Sequence, residues 1–567
     1  MKFDQLPNEI LIECFEYLSA LDILYSFDQL NYRSHTLVGS ISLHLNLHHK
    51  NKLLFDQFCH QMLFNPQMKN QIISLELSNK NTCGQLNVFL SFFSISEFSQ
   101  LRSITLIDLD YNRTQQIESI ILLLSDFANV YSNELTDETC NVLSKLVPSK
   151  IQMKLTSNLN SISTSIHKTT TITSLTVFQC SLDDLWQVFK YTPNLEYLHT
   201  KILCNSSSIN DELDVISAYA FYLKQLVVDY STANFQIFEL LLQQTPNLKI
   251  LTIDVEYQID IIDGERWQNL IESSLHHLDI FNFKFDVGIR GDYDVILNKF
   301  HQFQTDFWHK QHYWYTNCQF NSHAAFIYTI TYVWNRYVLQ SDTKRYGIKL
   351  MNNSKIFENV TNLILFSNIL DNKSEYYYFQ NVTSLTLYKE SNLFKKLDFN
   401  LKPEDTVFES LKMIINLSNL KHLDIKSMHN IISSIKLLEI LKQAPQLSSI
   451  AINKSTLISF LINHELCQYL NKMINVLDID DDYNDDSIKS DELNKLSKIF
   501  SNIEKLQCCT NEMNTCLFIL NHMPKLKHVE IRSLSSFSRD TSAWLKMIAS
   551  KSNINCILKQ YDQDADD

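Results

Sequence analysis

From about Asn70 onward the chain repeats one short phrase, apolar-x-x-apolar-x-apolar, and follows it with a stretch of helical spacing. The phrase reads LRSITL at Leu101, Ile104 and Leu106, ITSLTV at Ile172, Leu175 and Val177, and LKILTI at Leu248, Leu251 and Ile253. It returns as LHHLDI at Leu275, VTNLIL at Val360, LKHLDI at Leu420 and LKHVEI at Leu526. Most successive copies lie 22 to 29 residues apart. Extended backbone sends alternate side chains to one face, so each copy predicts a short strand with one inward row. The segments between copies, such as FELLLQQTPNL, IKLLEILKQAPQL and MNTCLFILNHMPKL, carry apolar residues at helical spacing. A unit of this kind cannot bury its apolar face alone; stacked units can, with their strands in a parallel sheet.

Proline placement supports the repetition. Four of the eight prolines, Pro193, Pro246, Pro445 and Pro524, occupy one slot just before a strand, where proline stops the helix and biases the preceding residue toward extended geometry. Between Leu278 and Leu363 the phrase lapses for 85 residues, room for about three degenerate repeats at the usual period.

The first forty residues follow another rule. In LPNEILIECFEYL, Ile10, Leu11, Cys14, Phe15 and Leu18 form one stripe on a helix that starts at Pro7, where a missing N–H costs nothing. Asp22 is placed to cap a second short helix and Asn31 a third, which runs through Tyr32, Leu37 and Val38. Three such helices are too few to enclose a core, so their apolar face is either an interface or an amphipathic cap on the repeat array.

Composition narrows the classes. The chain has 567 residues, 45% of them apolar, which is enough for a large core. Its net charge of -14 and lack of a dense basic run argue against nucleic acid and anionic membranes as partners. The start MKFDQLPNEI carries acids where a signal peptide needs a basic and then an apolar stretch. The longest aliphatic run, Ile120 to Leu124, is far below the roughly 20 residues of a spanning helix. A cytoplasmic or nuclear location is expected, and the twelve cysteines, with no CxxC pair, read as reduced thiols. Six glycines in the whole chain leave no GxGxxG or GxxxxGK[ST] to be written.

The string LPNEILIECFEYLSALDILYSFDQLNYRSHTLV resembles the F-box motif at Leu6-Pro7, Glu9-Ile10-Leu11, Phe15, Tyr17-Leu18, Asp22-Ile23, Leu30-Asn31 and Arg33. It departs from many F-boxes in having Tyr32, Arg33 and Ser34 where they carry a Trp. Residues 70 to 550 resemble the leucine-rich-repeat class of F-box proteins, though the Asn or Cys expected after each strand, which fits at Cys180 and Asn368, is missing from most copies. The resemblance implies an α/β fold: a short three-helix F-box, then an irregular leucine-rich-repeat horseshoe with parallel strands inside and helices outside. It also implies a substrate-recognition subunit of a cullin-based SCF ubiquitin ligase, not itself an enzyme and without a cofactor. The partners would be the S-phase kinase-associated adaptor protein, through it a cullin, and a target protein. The adaptor contacts carry over to Leu6, Pro7, Ile10, Leu11, Phe15, Leu24 and Leu30.

The organisation expected is an F-box at 1–45, a linker helix at 46–70 and repeats at 71–285. Aromatic-rich degenerate repeats at 286–355, further repeats at 356–550 and an acidic tail at 551–567 complete it. Trp308, Trp314 and Trp334 are the candidate target anchors, set against the alternative that these aromatics are buried strand residues. His309, His312, Cys318 and His323 match no compact zinc spacing, so no metal is expected. Asp478, Asp480 and Asp482 fail as a calcium loop, because Tyr483 and Lys489 stand where Gly and Glu are needed. The run DIDDDYNDDSIKSDE reads instead as a solvated acidic loop after a strand at Ile474 to Ile479. Two other readings stay open: a repeat scaffold that never meets a cullin, and, with no supporting motif, a hydrolase hidden in the aromatic segment.

Overall fold

A computed structural model describes residues 6–27, 30–47, 52–78, 85–93, 97–98, 100–101, 103–107, 151–158, 172–204, 220–288, 293–321, 324–340, 343–347, 353–366, 377–388, 411–428, 432–480, 492, 496–497, 499–510, 512–533, 539–552 and 554–560. They are a mixture of helices and parallel sheet. The chain divides into two compact units, 1–318 with 324–329, and 319–323 with 330–567.

The first unit opens with three helices, α1 (Asn8–Glu16), α2 (Ala20–Phe27) and α3 (Tyr32–Ser40). Nine strands follow: β1 (Leu43–Asn46), β2 (Ile72–Ser78), β3 (Ser103–Ile107), β4 (Ile151–Asn158), β5 (Ile172–Cys180), β6 (Tyr197–Leu203), β7 (Gln225–Ser231), β8 (Ile250–Glu256) and β9 (Ile280–Gly288). Each pairs in parallel with the next in sequence order. The second unit repeats the arrangement from Arg336–Leu339 through Asn362–Phe366 and seven further strands, the last of them Asn555–Gln560, again parallel and in sequence order.

Register explains the phrase. Its second apolar position forms one continuous row, Leu175–Leu198–Leu226–Leu251–Phe281 in the first unit; the copy read as LHHLDI is corrected to Leu278, Phe281 and Phe283, three residues later, and Ile280 is exposed. In the second the row is Leu363–Leu385–Leu423–Ile450–Leu477–Leu506–Val529–Cys556. These side chains are buried, each covered by its neighbours in the row. The proline slot behaves as expected: the helices Leu182–Tyr191, Phe235–Gln243, Ser434–Gln443 and Met513–His522 end two or three residues before Pro193, Pro246, Pro445 and Pro524.

Two backbone devices recur at the entrance to the strands. One carbonyl of each repeat takes two consecutive amides of the next: Lys249 and Ile250 donate to Lys224 O, Asp279 and Ile280 to Lys249 O, and Thr383 and Ser384 to Thr361 O. An asparagine just before the strand then donates its side-chain amide to the preceding repeat's backbone. Asn247 reaches Phe221 O at 2.8 Å, Asn381 reaches Glu358 O at 2.8 Å, Asn419 reaches Gln380 O at 3.0 Å, and Asn502 reaches Asn471 O at 2.8 Å. The asparagine sought after the strand therefore stands before it in these repeats. Cys180 does sit at the end of β5, buried, with Sγ 3.2 Å from Thr200 Oγ1, while Asn368 lies outside the described residues.

Several boundaries differ from the sequence expectation. The sheet starts at Leu43, inside the segment assigned to the F-box, because Leu43 and Leu45 alternate inward ahead of the expected linker helix, Lys52–Phe64. It ends at Gln560, so the acidic tail begins later than 551. The lapse after Leu278 is not a run of parallel repeats: Ala324–Thr329 pairs antiparallel with β9 and ends the first parallel run. In the second unit, Gln319 donates from its side-chain amide to the Tyr337 and Tyr377 hydroxyls, a buried network beside Phe357 and Phe379. Among the described residues ten cysteines are free thiols, and burial pushes Cys59 and Cys516 up to about 12. No helix among them is long and apolar enough to cross a membrane.

Candidate partner-docking surfaces

The helical unit is built around very few side chains. Leu11, Phe15, Leu21, Ile23, Leu24, Leu37 and Val38 fill its interior, with the Phe15 and Phe27 rings 5.0 Å apart. Asn31 caps α3, accepting from Ser34 N at 2.8 Å as its spacing predicts. The α2 cap is Ser19, not Asp22: Ser19 Oγ accepts from Asp22 N at 3.2 Å, and Asp22 takes the hydroxyl proton in return. Arg33 joins the two ends of the unit. Its guanidinium donates to Leu6 O and, at 2.8 Å, to Asn8 Oδ1, which draws the start of α3 to the start of α1.

This placement splits the seven residues that the F-box resemblance implies for adaptor contact. Pro7, Ile10 at 40% and Leu30 at 57% are exposed, and Leu6 is half-buried. Leu11, Phe15 and Leu24 are each under 5% exposed, so they are corrected to core: a unit this small needs them inside. The sequence stripe was drawn wider than the core. Ile10 sits about a quarter turn from Leu11 on an ideal helix, and α1 stops at Glu16, so Leu18 leaves the inward face and is 40% exposed. Tyr17 and Tyr32, nearly fully exposed, were not singled out as contacts. Tyr17 is a matched position of the motif and Tyr32 stands where the chain departs from it, which was the available signal.

The tryptophan candidates are corrected in the same way. Trp308 is fully buried, its ring 4.9 Å from Phe303 and 6.0 Å from Phe283. Trp314 is nearly buried and donates through Nε1 to Asp279 O at 3.2 Å. Trp334, in the second unit, is half-buried with its ring 5.2 Å from Tyr332. None of the three stands in a strand: Trp308 lies in the helical turn Phe307–Gln311, and Trp314 and Trp334 precede the strands Thr316–Phe320 and Arg336–Leu339. His312 stacks on Trp314 at 4.2 Å and His309 lies beside Tyr315, while His323 is outside the described residues.

A surface that sequence reading missed lies on the polar side of β6 to β9. His199 Nε2 is 2.9 Å from Asp229 Oδ1, and Lys201 donates to the same carboxylate. Burial alone would raise Asp229, but the bonds from His199 and Lys201 outweigh it and hold the carboxyl below its ordinary value. On the next strands Lys284 Nζ donates to both Asp254 oxygens at 2.9 and 3.2 Å and lies 3.9 Å from Glu256. Burial pushes Asp254 up to about 6 against the pull of Lys284, and Asp286 up to about 7, with neighbouring carboxylates adding to the rise. Glu256 and Asp286 stand opposite each other in register. The signal was present in LVVDY, LTIDVE and FNFKFD, where charges fill the outward positions of successive strands.

The second unit carries its own ion pairs. Lys426 donates to Asp478 at 2.8 Å, Arg532 lies 4.0 Å from the same carboxylate, and Arg532 Nε is 3.3 Å from Glu530. Asp478 lies in the strand Val476–Asp480, close to the strand expected at Ile474 to Ile479, and is paired; residues 481–491, most of the expected acidic loop, lie outside the described residues.

No protein-family profile and no curated protein matches the chain. Among solved structures, the crystal structure of the Rad7 and Elc1 complex in yeast aligns over 74% of this chain and 89% of that chain. The identity is 11% and the TM-score 0.27, too low to carry an argument about fold or activity.

Proposed function

We propose that this chain is the substrate-recognition subunit of a cullin-based SCF ubiquitin ligase: the N-terminal helices dock the adaptor and the leucine-rich-repeat body holds a target. The supporting observation is apolar surface left over once the helical unit has filled its own core. Pro7, Ile10, Leu18, Leu30 and Tyr32 stay exposed although Leu11, Phe15 and Leu24 are packed, and Arg33 brings the two segments that carry them together. Exposed apolar side chains grouped on a small unit mark a protein-binding face. The polar strand faces supply charge recognition for the target. On this reading the chain contributes proximity, presenting a target to a transferase held by its partners, and carries out no chemistry of its own.

A second reading, a repeat scaffold capped by the helices, draws on Gln71, whose side-chain amide donates to Val38 O at 2.6 Å and ties α3 to the first repeats. Titration of the full chain with the purified adaptor separates the two. The ligase reading expects a saturable complex at micromolar concentrations or below. A well-folded chain that shows no heat of binding and brings down no cullin leaves the scaffold reading standing.

A further inference from the structure

We propose that the outward face of β8 and β9, with the aromatic rings at its border, docks an arginine side chain from a basic segment of a partner protein; that this partner is a ligase target rests on the reading above. The charges of β6 and β7 are matched, because His199 and Lys201 both serve Asp229. Those of β8 and β9 are not. Asp254, Glu256 and Asp286 share the one ammonium of Lys284, which donates to both Asp254 oxygens and lies 3.9 Å from Glu256. Among the described residues the Asp286 carboxylate forms no hydrogen bond and no ion pair, and its register partner is the like-charged Glu256. Burial, joined by Glu256 and Asp254 against the pull of Lys284, pushes Asp286 up to about 7. A cation brought to this place restores its charged form.

Aromatic rings border these carboxylates on both sides. On the antiparallel strand Ala324–Thr329, Phe326 stands opposite Asp286 and Tyr328 opposite Lys284, so both share this face. Tyr257 follows Glu256 at the end of β8, is 69% exposed and forms no ring contact among the described residues. Its φ of 63° lies in the left-handed region that a bulky residue rarely adopts, and its amide donates to Asp286 O at 2.7 Å, which holds it beside β9. Tyr230, near the end of β7, belongs to the same group: burial and then the charges of Glu256, Tyr257 and Asp254 raise its hydroxyl above the ordinary value. An anion would meet three carboxylates here, and an apolar segment would bury Glu256 and Asp286 unpaired. A guanidinium answers both features, since its planar fork bonds a carboxylate with two donors while its face stacks on a ring. An ammonium is more strongly hydrated and has no fork, so lysine fits less well.

The test is calorimetry of the full chain at pH 7.5 with tetra-arginine, tetra-lysine and tetra-glutamate peptides. Tetra-arginine should bind saturably with a Kd below about 1 mM, tetra-lysine several-fold more weakly, and tetra-glutamate not at all. Asp286→Asn should weaken tetra-arginine about fivefold. Tyr257→Gly, which suits the left-handed backbone and removes only the ring, should weaken it about threefold. Asp294→Asn makes the same charge change on the exposed start of the helix Tyr293–His301 and should leave affinity unchanged. At pH 6.5 the bound arginine should also drive protons off, seen as a heat that varies with the buffer's ionisation enthalpy, and Asp286→Asn should reduce that release. The groups facing Asp286 are Lys284 on its own strand, Asp254 and Glu256 from β8, Asp229 and Tyr230 from β7, Tyr257, and the rings of Phe326 and Tyr328. Equal affinity for the arginine and lysine peptides, or equal losses in Asp286→Asn and Asp294→Asn, would mean diffuse attraction to an acidic chain and overturns the site. Unchanged affinity in Tyr257→Gly overturns the stacking. None of these titrations contains adaptor, so a chain that binds arginine in this way but no adaptor keeps the site and loses only its assignment to a ligase target.

Discussion

The helical unit and the repeats that follow it solve the same problem with opposite remainders. In the repeats the inward row of apolar side chains is covered by neighbouring units, and the outward strand positions are mostly charged or polar, with single exceptions such as Ile280, Val338 and Tyr388. The three helices have far fewer neighbours, fill a small interior with Leu11, Phe15 and Leu24, and leave Ile10, Leu18 and Leu30 outside. An array that stacks can finish its core by itself. A forty-residue unit cannot, and its leftover apolar surface is where a partner contributes most.

The largest expected effect breaks the comparison on the repeat side. Leu251 is fully buried within the first unit's row, between Leu226 and Phe281. Leu251→Ala should cost about 2–5 kcal/mol in urea unfolding, the range for a large-to-small change in a core that cannot collapse. A loss below about 0.5 kcal/mol would mean that the row is not the continuous core its register indicates.

On the helical side the expected effect moves from stability to binding. Ile10 and Leu30 are already about half exposed, so covering the remainder contributes about 1 kcal/mol each, half the value of a full burial. Ile10→Ala with Leu30→Ala should weaken adaptor binding about thirtyfold and shift the unfolding midpoint hardly at all. A double variant that unfolds early and binds normally would make the helices a cap. The comparison would then reduce to two parts of one core.

The asparagine staple gives a smaller effect and sharpens the repeat side alone. Asn381→Ala and Asn419→Ala each remove a donor from a carbonyl of the preceding repeat, at a cost of about 1 kcal/mol per site. The two sites lie in consecutive repeats, so measured coupling between them would show whether the repeats unfold as one cooperative body.

What the sequence made legible follows the same division. The strands, their inward rows and the proline stops were legible because each repeat restates them, so one irregular copy is corrected by the others. Asn247, Asn381, Asn419 and Asn502 were equally repeated, yet the search looked after the strand, where the leucine-rich-repeat resemblance places its asparagine. Trp308 was ambiguous for a physical reason: an aromatic residue reads the same in a buried helical turn, where it lies, as in a strand or at a binding surface, and only the packing of other elements decides. The antiparallel Ala324–Thr329 was hidden because strand direction leaves no mark on an apolar pattern. In the helical unit, each candidate docking residue occurs once, so nothing in the chain could separate Ile10 from Leu11 beyond a hundred degrees of helix rotation.

The smallest effect concerns the charged face of β8 and β9, and its sign is fixed by the direction of the shifts. Asp254 and Asp286 are pushed up to about 6 and about 7 from an ordinary value near 3.8, first by burial. Between pH 4 and 7 the folded chain therefore holds protons that the unfolded chain has released, and stability falls as pH rises through that window. Above pH 7 both states are ionised and this contribution is flat. Asp286 shares Lys284 with Asp254 and Glu256 and stands opposite Glu256, so its charge is the least compensated of the three. Asp286→Asn should be at least as stable as the parent at pH 8, and the difference between them should vanish toward pH 4. The expected size is modest, because Asp286 keeps partial contact with solvent and its repulsion is screened. Melting curves of both chains at pH 5, 6.5 and 8 measure that difference directly. A parent that gains stability relative to Asp286→Asn as pH rises would mean that an unrecognised cation compensates the carboxylate, and the face would have to be read as balanced, like the Lys426–Asp478–Arg532 group of the second unit.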